Sequence, residues 1–419
     1  MSSEEPGLQK LLSKPPKTKP GNPIDAAIAA WLLNLPADIR ERETEAQHID
    51  SILSGAPKRW VVYYPMVLLP AGSSSAKWWS IMESSDSIMK DQRDHLWRLI
   101  LSAISKKEGK GILTHLAVNS GIPLHNSLSD GGNSSEADNG PDGPENILRT
   151  PNGLVMLYGN FGPSLSPSQI PTIKDFENAF WVSTKQNGIT QVWAPRYTMF
   201  SRGNVKEKAR LLGFHRSSPD FDTRNLSQDI LSNITAVDLY AGIGYFVFSY
   251  VKLGLKRVIG WERNPWSVEG LRRGAIANGW TVKITRQHEE LQLGTENIIV
   301  LAEDNKLASK RLQGLTPDCL EEIRHINCGL LPTSDLSWRM ALEIMTSDGW
   351  LHLHENVGVQ DIQTRKVEIE KTLQRWLVER CDTRTAKVEH VELVKTFAPG
   401  VWHCVFDIIV TADALHLKE

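Results

Sequence analysis

The sequence predicts an α/β protein: a mostly parallel sheet covered by helices on both faces, preceded by a smaller α+β region. Three observations lead there. From about Asn233, short buried strands alternate with amphipathic helices, the pattern of repeated strand–helix–strand units. The first of those strands runs into a glycine turn, DLYAGIGYF, that opens a helix. The composition is that of an ordinary globular chain, with 419 residues, 41% hydrophobic and 23% charged, which excludes wholesale disorder, collagen and a coiled-coil rod. With 47 Lys+Arg against 49 Asp+Glu, bulk charge does not hold the chain on nucleic acid, although a local basic face remains compatible with that balance.

Residues 1–23 are polar and rich in Lys and Pro, and read as a loose tail. DAAIAAWLLNLP follows as a buried helix, and RWVVYYPMVLLP as a strand pair broken at Pro65. In KDQRDHLWRLILSAISKK the spacing of Leu96, Leu99, Ile100 and Ala103 predicts an amphipathic helix. Residues 125–146, HNSLSDGGNSSEADNGPDGPEN, carry too little apolar surface to offset their ordering entropy and predict a disordered insert. LVMLYGNF and NAFWVSTKQNG then introduce a second folded stretch. Beyond it, ITAVDLY, KRVIGWE, NIIVLAEDN, HINCGLLP and GWLHLHENV read as strands, and YFVFSYVKLG, PWSVEGLRRGAIANG and DIQTRKVEIEKTLQRWLVERC as helices. VEHVELVKTFAPGVWHCVFDIIV closes the chain as a strand pair. The expected domains are a tail at 1–23, an α+β region at 24–190 containing the insert, and an α/β domain at 191–419.

Cys319, Cys328, Cys381 and Cys404 lie far apart with no paired spacing, which argues against a disulfide scaffold or thiolate zinc site and for a reducing compartment. The start has no apolar core of a secretory signal, and residues 61–70 are too short to span a bilayer. The expectation is a cytoplasmic protein without a membrane partner.

The chemistry gathers where the strands end. Asp238 closes the first strand, and Gly242 and Gly244 remove Cβ where a ligand must approach backbone amides. A pyrophosphate fingerprint wants a glycine or alanine where Val247 stands, which disfavours NAD and FAD. A lone G-x-G is also compatible with a tight turn that holds nothing. Glu262 weighs against that reading, because it ends the second strand where an acid hydrogen-bonds ribose hydroxyls. Asp304 and Asn305 end the third strand and can read the adenine amino edge, or cap a helix. Together these residues describe an adenosine pocket without a pyrophosphate cradle, which suits S-adenosylmethionine. The fourth strand ends in INCGLLP, where amino- and base-directed methyltransferases carry an Asn/Asp-Pro-Pro-aromatic motif; the aromatic is missing. His352 and His354 alternate on a strand with no Cys or carboxylate at ligand spacing, so no metal site is expected.

PRYTMFSRGNVKEKAR, DLYAGIGYF, WERNPWSVEGLRRGAIANG, LAEDN and INCGLLPTS closely resemble the tRNA wybutosine-synthesizing protein 2 family, aminocarboxypropyltransferases related to the tRNA guanine-37 N1-methyltransferases. The resemblance runs from about Trp193 to the C-terminus. It implies a Rossmann-like class I S-adenosylmethionine-dependent methyltransferase fold with strand order 3-2-1-4-5-7-6, and an N-terminal region used in tRNA docking. It implies transfer of the 3-amino-3-carboxypropyl chain to C7 of 4-demethylwyosine at position 37 of tRNA(Phe), with 5′-methylthioadenosine as co-product. Ser201 and Lys208 match the family's cofactor-contacting Ser and Lys, Glu262 its ribose acid, Asp304 and Asn305 its adenine pair, and Asp238, Gly242 and Gly244 its glycine turn. No residue is assigned as general base.

Arg196, Arg202, Lys206 and Arg210 cluster beside those motifs and can meet tRNA phosphates, or form a salt-bridged surface helix. The expected working species is a monomer. Two rivals stay open: a tRNA guanine-37 N1-methyltransferase, and a catalytically silent tRNA-binding protein that retains the fold.

Overall fold

The computed structural model describes residues 21–37, 49–73, 79, 90–109, 111–119, 151, 153–166, 168–216, 224–315, 320–345 and 347–412. The insert expected at 125–146 and most of the tail expected at 1–23 lie outside these residues. Asn22 and Pro23 are an exception, because they start the first helix, Pro23–Leu33. The Asn22 side chain accepts from the Ile24 N–H at 3.1 Å, and Pro23 occupies the first turn, where its missing donor is not needed.

Two compact units divide the chain. The first comprises the described residues up to Asn119 together with Val155–Gly159. Its sheet has the order β1 (Val61–Tyr63), β2 (Met66–Leu69), β3 (His115–Val118), β4 (Val155–Tyr158). The Pro65 break separates β1 from β2, which pair antiparallel. Helix Lys90–Glu108 buries Leu96, Trp97, Ile100, Leu101 and Ile104, so its core stripe is turned slightly from the expected one; Leu99 and Ala103 flank it. These side chains pack with Ile24, Ile28, Trp31 and Leu32 of the first helix over Val67, Leu69 and Leu116. The sequence order suggests that LVMLY opens the second folded stretch. Instead, β4 returns to pair antiparallel with β3.

The second unit takes the described residues between Asn119 and Val155 and those from Asn160 onward. Hairpin β5 (Val182–Gln186) and β6 (Ile189–Trp193) packs on helix Pro265–Ala277, with Asn278 bonding both backbone groups of Thr190 at 2.9 and 2.7 Å. The described residues of 160–190 thus belong with the second unit rather than with the N-terminal region in which the sequence reading placed them.

The main sheet runs β9 (Val282–Arg286), β10 (Ile298–Ala302), β8 (Arg257–Trp261), β7 (Ile234–Asp238), β11 (Glu322–Cys328), β12 (Gly349–Gly358), β14 (Val401–Thr411), β13 (Thr385–Ala398). The strands from β9 to β12 are parallel, and β14 and β13 are antiparallel additions. Without β9 the order is the expected 3-2-1-4-5-7-6. β9 is an extra edge strand whose half-exposed, Lys- and Arg-bearing sequence lacks the apolar run of the central strands.

Both faces are covered. On one, Leu342, Leu373 and Leu377 of helices Trp338–Ile344 and Ile362–Glu379 pack on Val237, Ile259, Leu351 and Phe406. On the other, Val247 and Tyr250 of helix Val247–Leu253 and Leu271 of helix Pro265–Ala277 pack on Ala236, Val258 and Ile298. The short helix Val205–Leu211 is tied to this second face by ions: Arg210 grips Asp407 of β14 at 2.5 and 3.0 Å and Glu207 at 2.7 Å.

Candidate functional site: a nucleoside pocket at the carboxyl ends of the strands

Parallel register brings the predicted residues together. Asp238 stands opposite Gly260 on β8 and Asn327 on β11, while Trp261, one residue before Glu262, stands opposite Leu301 on β10. The ends of four strands therefore share one edge, where open α/β sheets bind ligands.

Gly242 and Gly244 take positive φ, 54° and 87°. A Cβ on Gly244 would fall 2.5 Å from the Phe248 ring, so only glycine fits that turn. The Gly242 N–H donates to Glu262 Oε2 at 2.8 Å, and the Asn264 N–H to Oε1 at 2.7 Å. The Arg263 backbone also bonds this carboxylate, and the acceptor capacity left over is what a hydroxyl donor can use. Burial pushes the Glu262 pKa up to about 7, against the lowering effect of those backbone donors.

Asp238 is fully buried, and burial raises its pKa to about 6. Its Oδ1 accepts from the Tyr240 N–H and from Asn327 Nδ2, both at 3.1 Å, whereas Oδ2 has no partner. An unpartnered buried carboxylate oxygen is costly unless a ligand supplies a donor. The ammonium of a methionine-type chain is a donor of the kind this oxygen lacks. Asn305 Nδ2 donates to Leu239 O at 2.8 Å, which ties the third strand's end to the glycine turn. Asp304 caps the turn at Asn305–Leu307 by accepting from the Lys306 N–H at 3.0 Å, and pairs with Arg263 at 3.2 Å. The structure thus shows the capping role that the sequence also allowed for Asp304.

The MFSRGN segment closes the other side. The Ser201 N–H donates to Tyr245 Oη at 3.1 Å, so the glycine turn's own tyrosine anchors it. Lys208 is almost wholly buried, and its ammonium donates to the amide oxygens of Gln186 and Gln191 at 2.8 and 2.9 Å. It also lies 4.8 Å over the Phe200 ring. Burial without a compensating carboxylate lowers its pKa to about 8. Trp193, Tyr197 and Phe200 are packing residues: Tyr197 stacks on Trp266 at 3.8 Å, and Trp193 on Phe200 at 4.8 Å.

The basic cluster divides. Arg202 is exposed, and Lys206 is exposed but paired with Glu392 at 2.6 Å. Arg196 carries a buried Nε with no partner. Arg210 is a correction to the sequence reading, because its donors are committed to buried Asp407 and Glu207 and do not face a phosphate.

Sequence reasoning did not find the histidine chain behind Asp238. Asn327 Nδ2 donates to Asp238, so its Oδ1 accepts from His354 Nε2 at 3.2 Å. Burial holds His354 well below its ordinary pKa and His403 at about 4, so both are neutral. His354 Nδ1 must then accept from His403 Nε2 at 2.9 Å, which leaves His403 Nδ1 as a buried lone pair without a partner. A second chain, His215–His325–His352–Asp407, runs deeper in the same face. The LHLHE alternation was the one visible signal. Among the described residues no group of His, Cys, Asp and Glu is arranged to hold a metal, and no helix is long and apolar enough to cross a membrane.

A parallel sheet of this order, a glycine turn, an acid at the end of the second strand and an orphaned carboxylate oxygen define a class I S-adenosylmethionine-dependent transferase. No family model matches the sequence. The chain is 37% identical over 356 residues to tRNA wybutosine-synthesizing protein 2 of Schizosaccharomyces pombe, covering 84% of this chain and 72% of that protein. It is 31% identical over 395 residues to the Saccharomyces cerevisiae protein of the same name, covering 86% and 76%. The chain belongs to the tRNA wybutosine-synthesizing protein 2 family. A solved structure of P. horikoshii TYW2 in complex with MeSAdo shares the fold, with a TM-score of 0.51 at 17% identity, covering 90% of this chain and 99% of that one.

Proposed function

We propose that this protein transfers the 3-amino-3-carboxypropyl group of S-adenosylmethionine to C7 of 4-demethylwyosine at position 37 of tRNA(Phe). A carbon–carbon bond forms at C7, the sulfur–carbon bond to the chain breaks, C7 loses its proton, and 5′-methylthioadenosine leaves. The sulfonium carries three carbons, and the one presented in line with the nucleophile is displaced. Positioning therefore decides the product, and an error of ~1 Å can cost ~100-fold in rate.

The observation that carries this reading over a base N-methyltransferase is the state of Asn327. In the methyltransferase motif that position holds the target nitrogen. Here Asn327 is fully buried and spends its amide on Asp238 and His354, and no aromatic follows it in residues 328–332. Ser201, Lys208, Asp238, Gly242, Gly244, Glu262, Asp304 and Asn305 form the cofactor pocket, with Glu262 on the ribose and Asp238 on the amino group. Arg202, Arg196 and Lys206 face the tRNA, the first unit assists docking, and the working species is a cytoplasmic monomer.

Mass spectrometry of the small-molecule product, with S-adenosylmethionine and tRNA carrying the wyosine precursor, tests the proposal. Methylthioadenosine with the matching mass gain on the base is the expected result. S-adenosylhomocysteine would make the protein a methyltransferase, and no turnover with no cofactor binding would revive the silent tRNA-binding reading.

A further inference from the structure

Lys395 lies on β13, and nothing in the sequence motifs points to it. Its Nζ donates to Ser201 Oγ at 3.3 Å, and its stem crosses Gly203, where a Cβ would stand 2.6 Å from that Nζ. This contact explains both the serine and the glycine of the SRGN segment, since one supplies the acceptor and the other the room. Among the described residues Lys395 forms no ion pair. Glu392, the carboxylate nearest along the strand, is taken by Lys206 at 2.6 Å and His390 at 3.1 Å. His403, the register partner of Lys395 on β14, is neutral and presents its unpartnered Nδ1. A partly buried ammonium with one hydroxyl partner and no anion has lost hydration without replacement, so the site is built for an anionic ligand.

Its place in the pocket says which anion. From His403 the chain of hydrogen bonds runs through His354 and Asn327 to Asp238, whose Oδ2 is the other unsatisfied charge. One end of this polar line lacks a donor and the other lacks an anion, the complement of an amino acid zwitterion. Lys208, which is buried, has already turned two of its donors to Gln186 and Gln191. We propose that Lys395, held by Ser201, binds the carboxylate of the aminocarboxypropyl chain, while Asp238 takes the amino group. The inference rests on the function proposed above. It adds that the β13–β14 hairpin, rather than the helix bearing Lys208, anchors the carboxylate of the group that moves.

The test is calorimetric titration of the full chain and of Lys395→Met and Lys395→Arg, with S-adenosylmethionine and with decarboxylated S-adenosylmethionine, which keeps the adenosine, sulfonium and amine. Lys395→Met should weaken S-adenosylmethionine by about 10- to 100-fold, the range of a hydrogen bond to a charged group. It should leave the decarboxylated analogue within about twofold, and Lys395→Arg should recover most of the loss. Equal weakening of both ligands would overturn the proposal and assign Lys395 to pocket shape. Unchanged cofactor affinity with weakened tRNA binding would overturn it in favour of a phosphate contact. If the unsubstituted protein binds S-adenosylmethionine but releases S-adenosylhomocysteine, the functional reading fails while the carboxylate assignment is still decided by the titrations.

Discussion

Glu262→Gln probes the pocket at the atom that the strand register places best. In the native protein the Gly242 and Asn264 N–H groups bond the two carboxylate oxygens at 2.8 and 2.7 Å, and the proposed ribose contact uses the remaining acceptor capacity. Glutamine replaces one of these oxygens with a donor that faces either the Gly242 or the Asn264 N–H. At least one hydrogen bond to a charged group is lost, worth about 1.5–3 kcal/mol. With about 1.4 kcal/mol per tenfold, the dissociation constant for S-adenosylmethionine should rise about 10- to 100-fold at pH 8. tRNA affinity should stay largely unchanged.

The same carboxyl sets a pH signature in the native protein. Its pKa is raised from 4.5 to about 7, so it is ionised above that value and increasingly protonated below it. The hydroxyls need the ionised form, so cofactor affinity should be full at pH 8 and fall as pH drops through 7. One unit below the pKa about a tenth of the groups remain ionised, so the loss at pH 6 is up to about tenfold. Calorimetry near pH 7 in buffers of different ionisation enthalpy should detect proton release on binding. A flat affinity from pH 6 to 8, together with wild-type affinity in Glu262→Gln, would refute the ribose assignment.

Other outcomes follow from the ion network and the basic face. Burial alone would raise the Asp407 pKa, but the Arg210 guanidinium and the His352 hydrogen bond overcome it and hold the carboxyl well below the usual range. Its stabilising effect is therefore present above the pKa of an unfolded aspartate and lost only as pH falls through the depressed folded value, at strongly acid pH. Asp407 also accepts from Arg224 Nη2 at 3.1 Å; Asp407→Asn removes the charge shared by Arg210 and Arg224 while leaving them Glu207 and Glu389, and should destabilise the protein by about 1.5–3 kcal/mol, read by urea unfolding. Arg202→Ala should reduce the slope of log affinity for tRNA against log salt by about 1, and an unaltered slope would return Arg202 to an ordinary surface role.

The alternation after Asn233 made the parallel sheet legible, because the central strands are buried on both faces and the helices between them on one, and those periods are local properties of the chain. The placing of the candidate acids was legible for a related reason. In a parallel sheet the strands end at one edge, so Asp238, Glu262 and Asp304 each stand just past a recognisable apolar run. β9 escaped notice because an edge strand carries no such run. β4 was misplaced because the partner of a strand is chosen by the sheet it completes rather than by its neighbours in sequence.

By itself the sequence determined the class of fold, the glycine turn and the acids at the strand ends, since these depend on spacings within one strand–turn–helix unit. Only the tertiary structure decided which cations face inward. Arg210 lies within the basic cluster, yet Asp407, 197 residues away, draws it into the core. Lys395 meets Ser201 across 194 residues, and His403 reaches Asp238 through two intervening side chains. Such contacts are set by sheet register and by the need to satisfy buried charge, and neither leaves a periodic trace along the chain.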